Sequence, residues 1–336
     1  MGIVPDLNKQ MQHDIISGVF KDVMPPIRQL ALHYKVGVST MKLALKQLKN
    51  DGFLIGHQGK CIRINPLALN NKFYRKDIVF FVSLARLELR LYAKIIETLR
   101  MTFETYGAYI HIVSSIRQLQ LCRFNIDILI AAEPKKEDLQ YLTENFSADK
   151  VILLNSSSDI FDNVGTDNFI AGYEAAKYLH NSKKHTNIGI LSRYLDYKIS
   201  HNKSRCDGAK KYFNQHPEIK LYEADTENFT DEHAAIDALF AQNPDISAVF
   251  ATMDTLAFHI YTYAAEKNIK IPSELAVIGF DNSYFCEFTN PPLSTFAENT
   301  EGISQKLMEI AAAKLTGKNT EKQTLCKPIF IPRQSV

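Results

Sequence analysis

The sequence predicts an α/β protein with two unlike parts, a small basic helical head and a larger body of parallel β-sheets. Residues 1–76 contain 12 Lys and Arg, four Asp and no Glu, for a net charge of +8. Residues 77–336 carry 27 basic and 33 acidic residues, a net charge of −6. From residue 78 onward, apolar runs of strand length alternate with helical segments, which indicates parallel sheets covered by helices on both faces.

Composition narrows the class of protein further. A chain of 336 residues with 46% hydrophobic residues can form two or three domains with large cores. No apolar run approaches the length of a membrane span, and the N-terminus lacks a signal-peptide pattern. The five cysteines have no CxxC spacing, which favours reduced thiols in a cytoplasmic protein. Histidines do not cluster with cysteines at ligand spacing, so we expect no metal and no cofactor.

The head contains the elements of a small DNA-binding module. Apolar spacing predicts a helix near 6–20, and Pro25-Pro26 precede a second helix. A turn at 35–38 leads to a third helix, which ends at Gly52 and is followed by two short strands at 53–55 and 62–64. Basic side chains replace counterions condensed on phosphate, and a short helix fits the major groove. The head is therefore predicted to bind duplex DNA.

Three motifs of the head resemble the winged helix-turn-helix domain of the GntR family. They are Pro-Pro-x-Arg-x-Leu-Ala at 25–31, Leu-x-x-Asp-Gly-Phe-Leu at 48–54 and the Gly-containing wing, and the resemblance covers about residues 5–65. It implies DNA contacts by Arg28, Ser39, Thr40, Lys42, Gln58, Gly59 and Lys60.

The head also departs from that family. The family usually has Ser-Arg-Thr-Thr where this chain has Gly37-Val38-Ser39-Thr40, so a common arginine contact is absent and base preference cannot be transferred. A winged helix that contacts only protein is the alternative, and the charge of +8 disfavours it.

A tether is predicted at 66–76, after a head at 1–65, and the body spans 77–336 as a two-lobed effector-binding and dimerisation domain. Its strands are predicted at 78–82, 109–113, 126–131, 151–154, 188–191, 248–251 and 276–279. Its helices are predicted at 92–106, 171–179, 204–214, 231–241 and 255–266. Ligands of open α/β sheets bind beyond the carboxyl ends of strands, so the polar loops there are the candidate site.

Those loops offer carboxylates, amides and a guanidinium, which can hydrogen-bond vicinal hydroxyls, and Phe229 can stack on a sugar face. The body also resembles the effector domain of the LacI family, which is related to periplasmic sugar-binding proteins. The resemblance spans about 78–334 and rests on segments at 164–172, 204–208, 249–257, 271–282 and 290–295.

The LacI resemblance implies a periplasmic-binding-protein-like fold with ligand between two lobes. Its matched positions place five residues in the cleft: Asn155, Arg205, Phe229, Asp281 and Glu298. Met253 stands where sugar-binding members often have Asn, which removes one hydroxyl contact. Ligand contact and a solvated surface are both open for Arg86, Glu88 and Arg90. Asp167 and Asn168 are expected to cap the next helix.

A GntR-type head on a LacI-type body resembles arabinose-repressor-type regulators. We therefore predict a homodimeric, ligand-responsive repressor of carbohydrate-utilisation genes that binds a duplex DNA operator and a sugar. A nucleobase or nucleoside effector is the first alternative. An α/β enzyme is the second, although we find no G-x-S-x-G, Walker A or G-x-G-x-x-G motif. A solute-binding protein would leave the basic head unexplained.

Overall fold

A computed structural model describes residues 3–16, 18–51, 53–55, 62–65, 73, 75–84, 90–193 and 201–336. The head begins with three helices, α1 (Ile3–Ile16), α2 (Ile27–His33) and α3 (Val38–Asn50). An antiparallel pair follows, β1 (Leu54–Ile55) and β2 (Arg63–Ile64). Helix α1 ends before the predicted residue 20, because Gly18 has a φ of +79° and its N–H bonds to the Ile15 carbonyl.

The head has its own hydrophobic core. The apolar face of α3, formed by Met41, Ala44, Leu45 and Leu48, is buried there, together with Met11 and Ile15 of α1 and Phe53. Two polar bonds fix α1 against the other helices: Tyr34 Oη donates to Asp14 Oδ2 at 2.6 Å, and Gln12 Nε2 donates to Asp51 Oδ2 at 3.2 Å. The relative placement of α2 and α3 therefore rests on packing and hydrogen bonding within the head.

The first lobe of the body is a six-stranded, all-parallel sheet in the order β13-β7-β6-β5-β3-β4. Its strands are β3 (Asp77–Val82), β4 (Tyr109–Val113), β5 (Ile128–Ala132), β6 (Val151–Leu154), β7 (Asp162–Thr166) and β13 (Gln323–Cys326). Helices cover both faces: α4 (Arg90–Thr105), α5 (Ile116–Gln120), α6 (Lys136–Asn145) and α11 (Thr300–Leu315).

The second lobe has a six-stranded sheet in the order β14-β12-β11-β10-β8-β9, parallel except for β14. Its strands are β8 (Asn187–Ser192), β9 (Lys220–Asp225), β10 (Ala248–Ala251), β11 (Ala276–Phe280), β12 (Ser294–Ala297) and β14 (Ile329–Ile331). Its helices are α7 (Asn168–Lys183), α8 (His201–Asn214), α9 (Glu232–Gln242) and α10 (Asp254–Glu266). Two 3-10 turns, Thr226–Asn228 and Tyr284–Glu287, lie in its loops.

The chain passes between the two sheets three times. It leaves the first sheet after β7, returns after β12 through α11, and leaves again between β13 and β14. Asp167 lies in the first of these passages and Glu298 in the second. Residues in the passages are therefore placed between the two lobes.

Helices α7 and α8 pack against each other with almost no space between their backbones. A Cβ atom on Gly172 would lie 1.7 Å from the Arg205 carbonyl oxygen. One on Gly208 would lie 1.9 Å from the Phe169 carbonyl oxygen. This contact explains why the two matched motifs carry glycine, and it fixes Arg205 beside the first turn of α7.

The predicted α/β alternation is present. Strands at 109–113, 151–154 and 248–251 have the predicted bounds, and the other predicted strands shift by one or two residues. Helix α8 begins at His201, whereas the sequence predicted a start at residue 204. Arg205 therefore lies inside this helix and not near its start. Phe73, within the predicted tether, packs on Phe103 with ring centroids 4.8 Å apart, so that end of the tether contacts the first lobe. Among the described residues, no helix has the length and apolar character that crossing a membrane requires.

Candidate effector cleft

The candidate site lies where strands of both sheets end. In the first lobe, Glu133 follows β5 and Asn155 follows β6, whereas in the second lobe Asp281 follows β11. All three have positive φ, of 40°, 50° and 117°, a backbone conformation that residues other than glycine rarely adopt. Such backbone strain concentrates at binding sites, where the surrounding structure fixes the orientation of a side chain.

Arg205 occupies the centre of the site. Its side chain comes from α8, and the residue is only 4% exposed; no other arginine of the described residues is buried. Nε donates to Asn168 Oδ1 at 2.8 Å, and Nη1 donates to the Thr252 carbonyl at 2.7 Å. The guanidinium carbon also lies 3.4 Å from the centroid of the Phe280 ring, a cation–π contact. Burial lowers the pKa of Arg205, and the nearby carboxylates oppose that effect.

Asp281 is the carboxylate nearest to this guanidinium. Its Oδ1 lies 3.7 Å from Arg205 Nη1, and its side chain is 36% exposed. Its pKa is raised well above the ordinary value, chiefly by burial; Arg205 lowers it, and Asp254 and Glu298 raise it further. The exposed part of the side chain leaves Asp281 able to hydrogen-bond a ligand in the cleft.

Asp254 is buried behind the site and hydrogen-bonds to the elements around it. It is fully buried at the start of α10. Its Oδ1 accepts a bond from Thr295 Oγ1 at 2.7 Å, and Oδ2 accepts one from the Ser283 N–H at 2.7 Å. A Cβ on Gly279 would lie 2.2 Å from Oδ1, so only glycine fits there. Asp254 thus links the start of α10 to the loop after β11, which contains Asp281, and to strand β12, which Glu298 directly follows.

The first lobe contributes a linked set of polar groups. The Tyr92 hydroxyl donates to Glu133 Oε1, and Asn155 Nδ2 donates to Tyr92 Oη at 3.4 Å. Asn155 Oδ1 also accepts a bond from the Thr166 N–H at 3.2 Å. Burial, followed by the Glu133 carboxylate, raises the pKa of Tyr92 well above its ordinary value. These bonds hold Glu133 and Asn155 at the strand ends.

Glu298 lies between the lobes and responds to both of them. Burial raises its pKa to about 7. Arg205 of the second lobe lowers that pKa, whereas Glu133 of the first lobe raises it. The site therefore holds several carboxylates close to one buried guanidinium, and the protonation of Glu298 changes near neutral pH.

The structure places the other predicted effector residues less centrally. Phe229 follows the Thr226–Asn228 turn and is 37% exposed, with no ring contact to the described part of the chain. The Met253 sulfur accepts a bond from Asn202 Nδ2 at 3.2 Å, so it contacts protein. Arg90 is exposed at the first residue of α4. Arg86 and Glu88 lie outside the described residues.

Sequence reasoning missed several residues of the site. Tyr92, Glu133 and Asp254 were not assigned roles in the cleft, and Asn168 was expected only as a cap. Asp167 does cap α7 by accepting a bond from the Ile170 N–H, whereas Asn168 holds Arg205. Arg193, which follows β8, bonds to Thr226 Oγ1 at 3.2 Å and to Glu232. Its position two residues after the strand predicted at 188–191 was the available signal.

The predicted DNA-contacting residues of the head lie on its surface where the structure describes them. Arg28 is exposed near the start of α2. Ser39 and Lys42 are exposed and Thr40 is half-buried, all within the first turns of α3. Gln58, Gly59 and Lys60 lie outside the described residues.

Comparisons with known proteins agree with the architecture of the body. Residues 176–336 match the family model of a periplasmic binding protein-like domain. The PurR transcriptional repressor of Vibrio atlanticus is 28% identical over 238 residues, which are 69% of this chain and 70% of that protein. The ribose operon repressor of Haemophilus influenzae is 26% identical over 220 residues, which are 64% of this chain and 61% of that repressor.

A solved structure has the same fold over most of the chain. The complex of the transcriptional regulator CelR with cellobiose superposes with a TM-score of 0.63 at 17% identity, covering 93% of this chain and all of that one. The body is therefore a two-lobed, periplasmic-binding-protein-like α/β domain, and the chain is similar to transcriptional repressors.

The raised pKa of Glu298 predicts a pH-dependent effect on stability. Because the folded state disfavours the ionised carboxylate, the stability associated with its protonated form is lost as pH rises through about 7. Glu298→Gln, which mimics the protonated form, should raise Tm relative to the unmodified protein at pH 8 and change it little at pH 5. Differential scanning calorimetry at both pH values measures this difference.

Glu321→Gln is the matched control, because Glu321 is an exposed glutamate outside the cleft. We expect this control to shift Tm by the same small amount at both pH values. A Glu298→Gln protein that is no more stable than the unmodified protein at pH 8 would contradict the raised pKa of Glu298.

Proposed function

We propose that this protein is a transcriptional repressor whose head binds operator DNA and whose cleft binds a small effector. The observation that carries this proposal is the combination, in one chain, of a head with net charge +8 and a two-lobed body with a desolvated arginine between its lobes. Sequence similarity to the PurR and ribose operon repressors supports it, and the fold shared with the transcriptional regulator CelR is consistent with it.

The effector would act by changing the arrangement of the lobes. A ligand held by Glu133 and Asn155 on one side and by Arg205 and Asp281 on the other contacts both lobes at once. It shifts the protein toward a closed arrangement only as far as it binds that arrangement more tightly. The head is joined to the first lobe near Phe73, so lobe movement alters how the heads of a dimer are spaced.

A sugar suits the groups in the cleft. Asp281, Glu298 and Glu133 offer carboxylate acceptors for hydroxyl groups, and Arg205 Nη2 has no hydrogen-bond partner within the described ranges. Flat stacking surfaces are scarce, because the Phe280 ring is covered by Arg205 and Tyr92 is buried. A nucleobase or nucleoside remains the second candidate, since the exposed Phe229 could stack on one face of a base.

The head is proposed to be a winged helix-turn-helix of GntR type that acts as part of a homodimer. Helices α2 and α3 are joined by the short turn at 34–37, and β1 and β2 form the base of a hairpin. One such head has a small footprint on DNA, and two heads on adjacent half-sites would supply affinity and specificity.

The proposed effector class can be tested by calorimetric titration of the full chain. The panel contains arabinose, xylose, galactose, glucose, ribose and cellobiose, with guanine and hypoxanthine as purines. We expect at least one sugar to bind and the purines to give no heat. Asp281→Asn and Arg205→Ala should each weaken sugar binding at least about tenfold, because a desolvated charge-assisted hydrogen bond contributes roughly 1.5–3 kcal/mol.

Asp207→Asn is the control, since Asp207 lies on the same helix as Arg205 but pairs with Lys203 on the surface. It should bind the sugar like the unmodified protein. If only a purine gave heat of binding, the proposed effector would be a nucleobase and not a sugar. Unchanged sugar affinity of both cleft variants would move the site elsewhere.

The DNA-binding proposal predicts unequal effects of two substitutions in α3. Operator duplexes selected from random DNA by the full chain provide the probe for fluorescence anisotropy. Thr40→Ala should weaken specific binding about tenfold or more, because it lies at the groove-facing start of the helix. Lys49→Ala, at the far end of α3, should have a much smaller effect. Affinity should also fall steeply with salt. Equal losses for the two variants would show that the recognition surface is misplaced.

A further inference from the structure

Two histidines and a glutamate converge on the surface of the second lobe, outside the effector cleft. His180 lies near the end of α7, and His216 and Glu218 lie just beyond the end of α8. The distance from Glu218 Oε1 to His180 Nε2 is 3.5 Å, and from Glu218 Oε1 to His216 Nδ1 it is 3.1 Å. The three ligand atoms all lie within 4.8 Å of one another.

The two distances to Glu218 suit a tetrahedral metal ion. With bonds of about 2.0–2.1 Å to nitrogen and oxygen, two donors of a tetrahedral zinc ion are about 3.3 Å apart. The two measured separations bracket that value. Imidazole ligands favour transition metals such as zinc over magnesium or calcium, which prefer oxygen. The donor set of two imidazoles and one carboxylate is one that zinc commonly takes.

A buried tyrosine orients the first histidine. Tyr212 is 2% exposed, and its Oη lies 3.0 Å from His180 Nδ1. When His180 Nδ1–H donates to that hydroxyl, the lone pair of Nε2 is directed toward Glu218. Metal-binding histidines usually have such a hydrogen bond on the second ring nitrogen. The Tyr212 ring also stacks on His216, with centroids 4.3 Å apart and planes 27° from parallel. Both imidazoles are thus held by one rigid side chain.

We propose that His180, His216 and Glu218 bind one zinc-type divalent cation, with water as the fourth ligand. The bound ion would link the end of α7 to the segment that follows α8. The site stands independently of the proposed function, because Tyr212 is seven residues from Arg205 and therefore about 10 Å along the helix from the cleft. Sequence spacing did not reveal it, since the two histidines are 36 positions apart and the cluster contains no cysteine.

Isothermal titration of the full chain with zinc chloride tests the site, after treatment with chelator and its removal. We expect one zinc ion per chain with a dissociation constant in the micromolar range or below. His180→Ala and His216→Ala should each weaken binding at least about tenfold. Tyr212→Phe should weaken it by about tenfold or more through the lost orienting bond, a typical effect of such partners. Magnesium should not bind at concentrations at which zinc saturates the site.

His233→Ala is the matched control, because His233 also pairs with one glutamate, Glu266 at 3.6 Å, but is not part of the cluster. Its zinc affinity should be unchanged. Circular dichroism of the metal-free variants checks folding, and His216→Ala changes a partly exposed side chain. Cobalt(II) should give a spectrum without a thiolate charge-transfer band, which excludes binding by cysteine. Absence of zinc binding, or equal zinc affinity in both histidine variants and the unmodified protein, would overturn the proposal.

Discussion

The structure of the cleft depends on one buried guanidinium. Arg205 is removed from water, which is costly for a charge, and its position is stabilised by Asn168, the Thr252 carbonyl, the Phe280 ring and Asp281. These partners come from α7 and from the ends of β10 and β11. Arg205 therefore connects the elements that form the second lobe's side of the cleft, and the close glycine contacts between α7 and α8 leave it little freedom to move.

A second constraint is the crowding of carboxyl groups around that arginine; their burial raises their pKa values. Asp281, Glu298 and Asp254 all influence its pKa, and Glu133 of the first lobe influences Glu298. Bringing these carboxylates closer together is unfavourable unless a ligand donates hydrogen bonds to them or a proton is taken up. The same groups that would recognise hydroxyls therefore also oppose closure of the empty cleft. This repulsion is a physical reason for the proposed dependence of closure on a bound ligand.

Much of this architecture could be predicted from sequence, because buried parallel strands produce continuous apolar runs, such as 78–82 and 248–251. Arg205 and Asp281 could be anticipated from their motifs and from the rule that sites follow strand ends. The same rule places Asp254 near the site, because it follows the strand at 248–251, but its complete burial and its bonds to neighbouring loops are properties of the folded structure. Tyr92 could not be anticipated, because its spacing matches the apolar face of α4. The His180 cluster depends on tertiary packing of residues distant in sequence.

The central claim is that a ligand bridges both lobes around Arg205. Hydrogen exchange measured by mass spectrometry, on the full chain with and without a sugar that binds in calorimetry, tests this claim most directly. We predict slower exchange in the loops after β5 and β6 of the first lobe and, at the same time, in the loop after β11 and the first turns of α8 in the second lobe. Slower exchange confined to one lobe, or located away from these loops, would contradict the account.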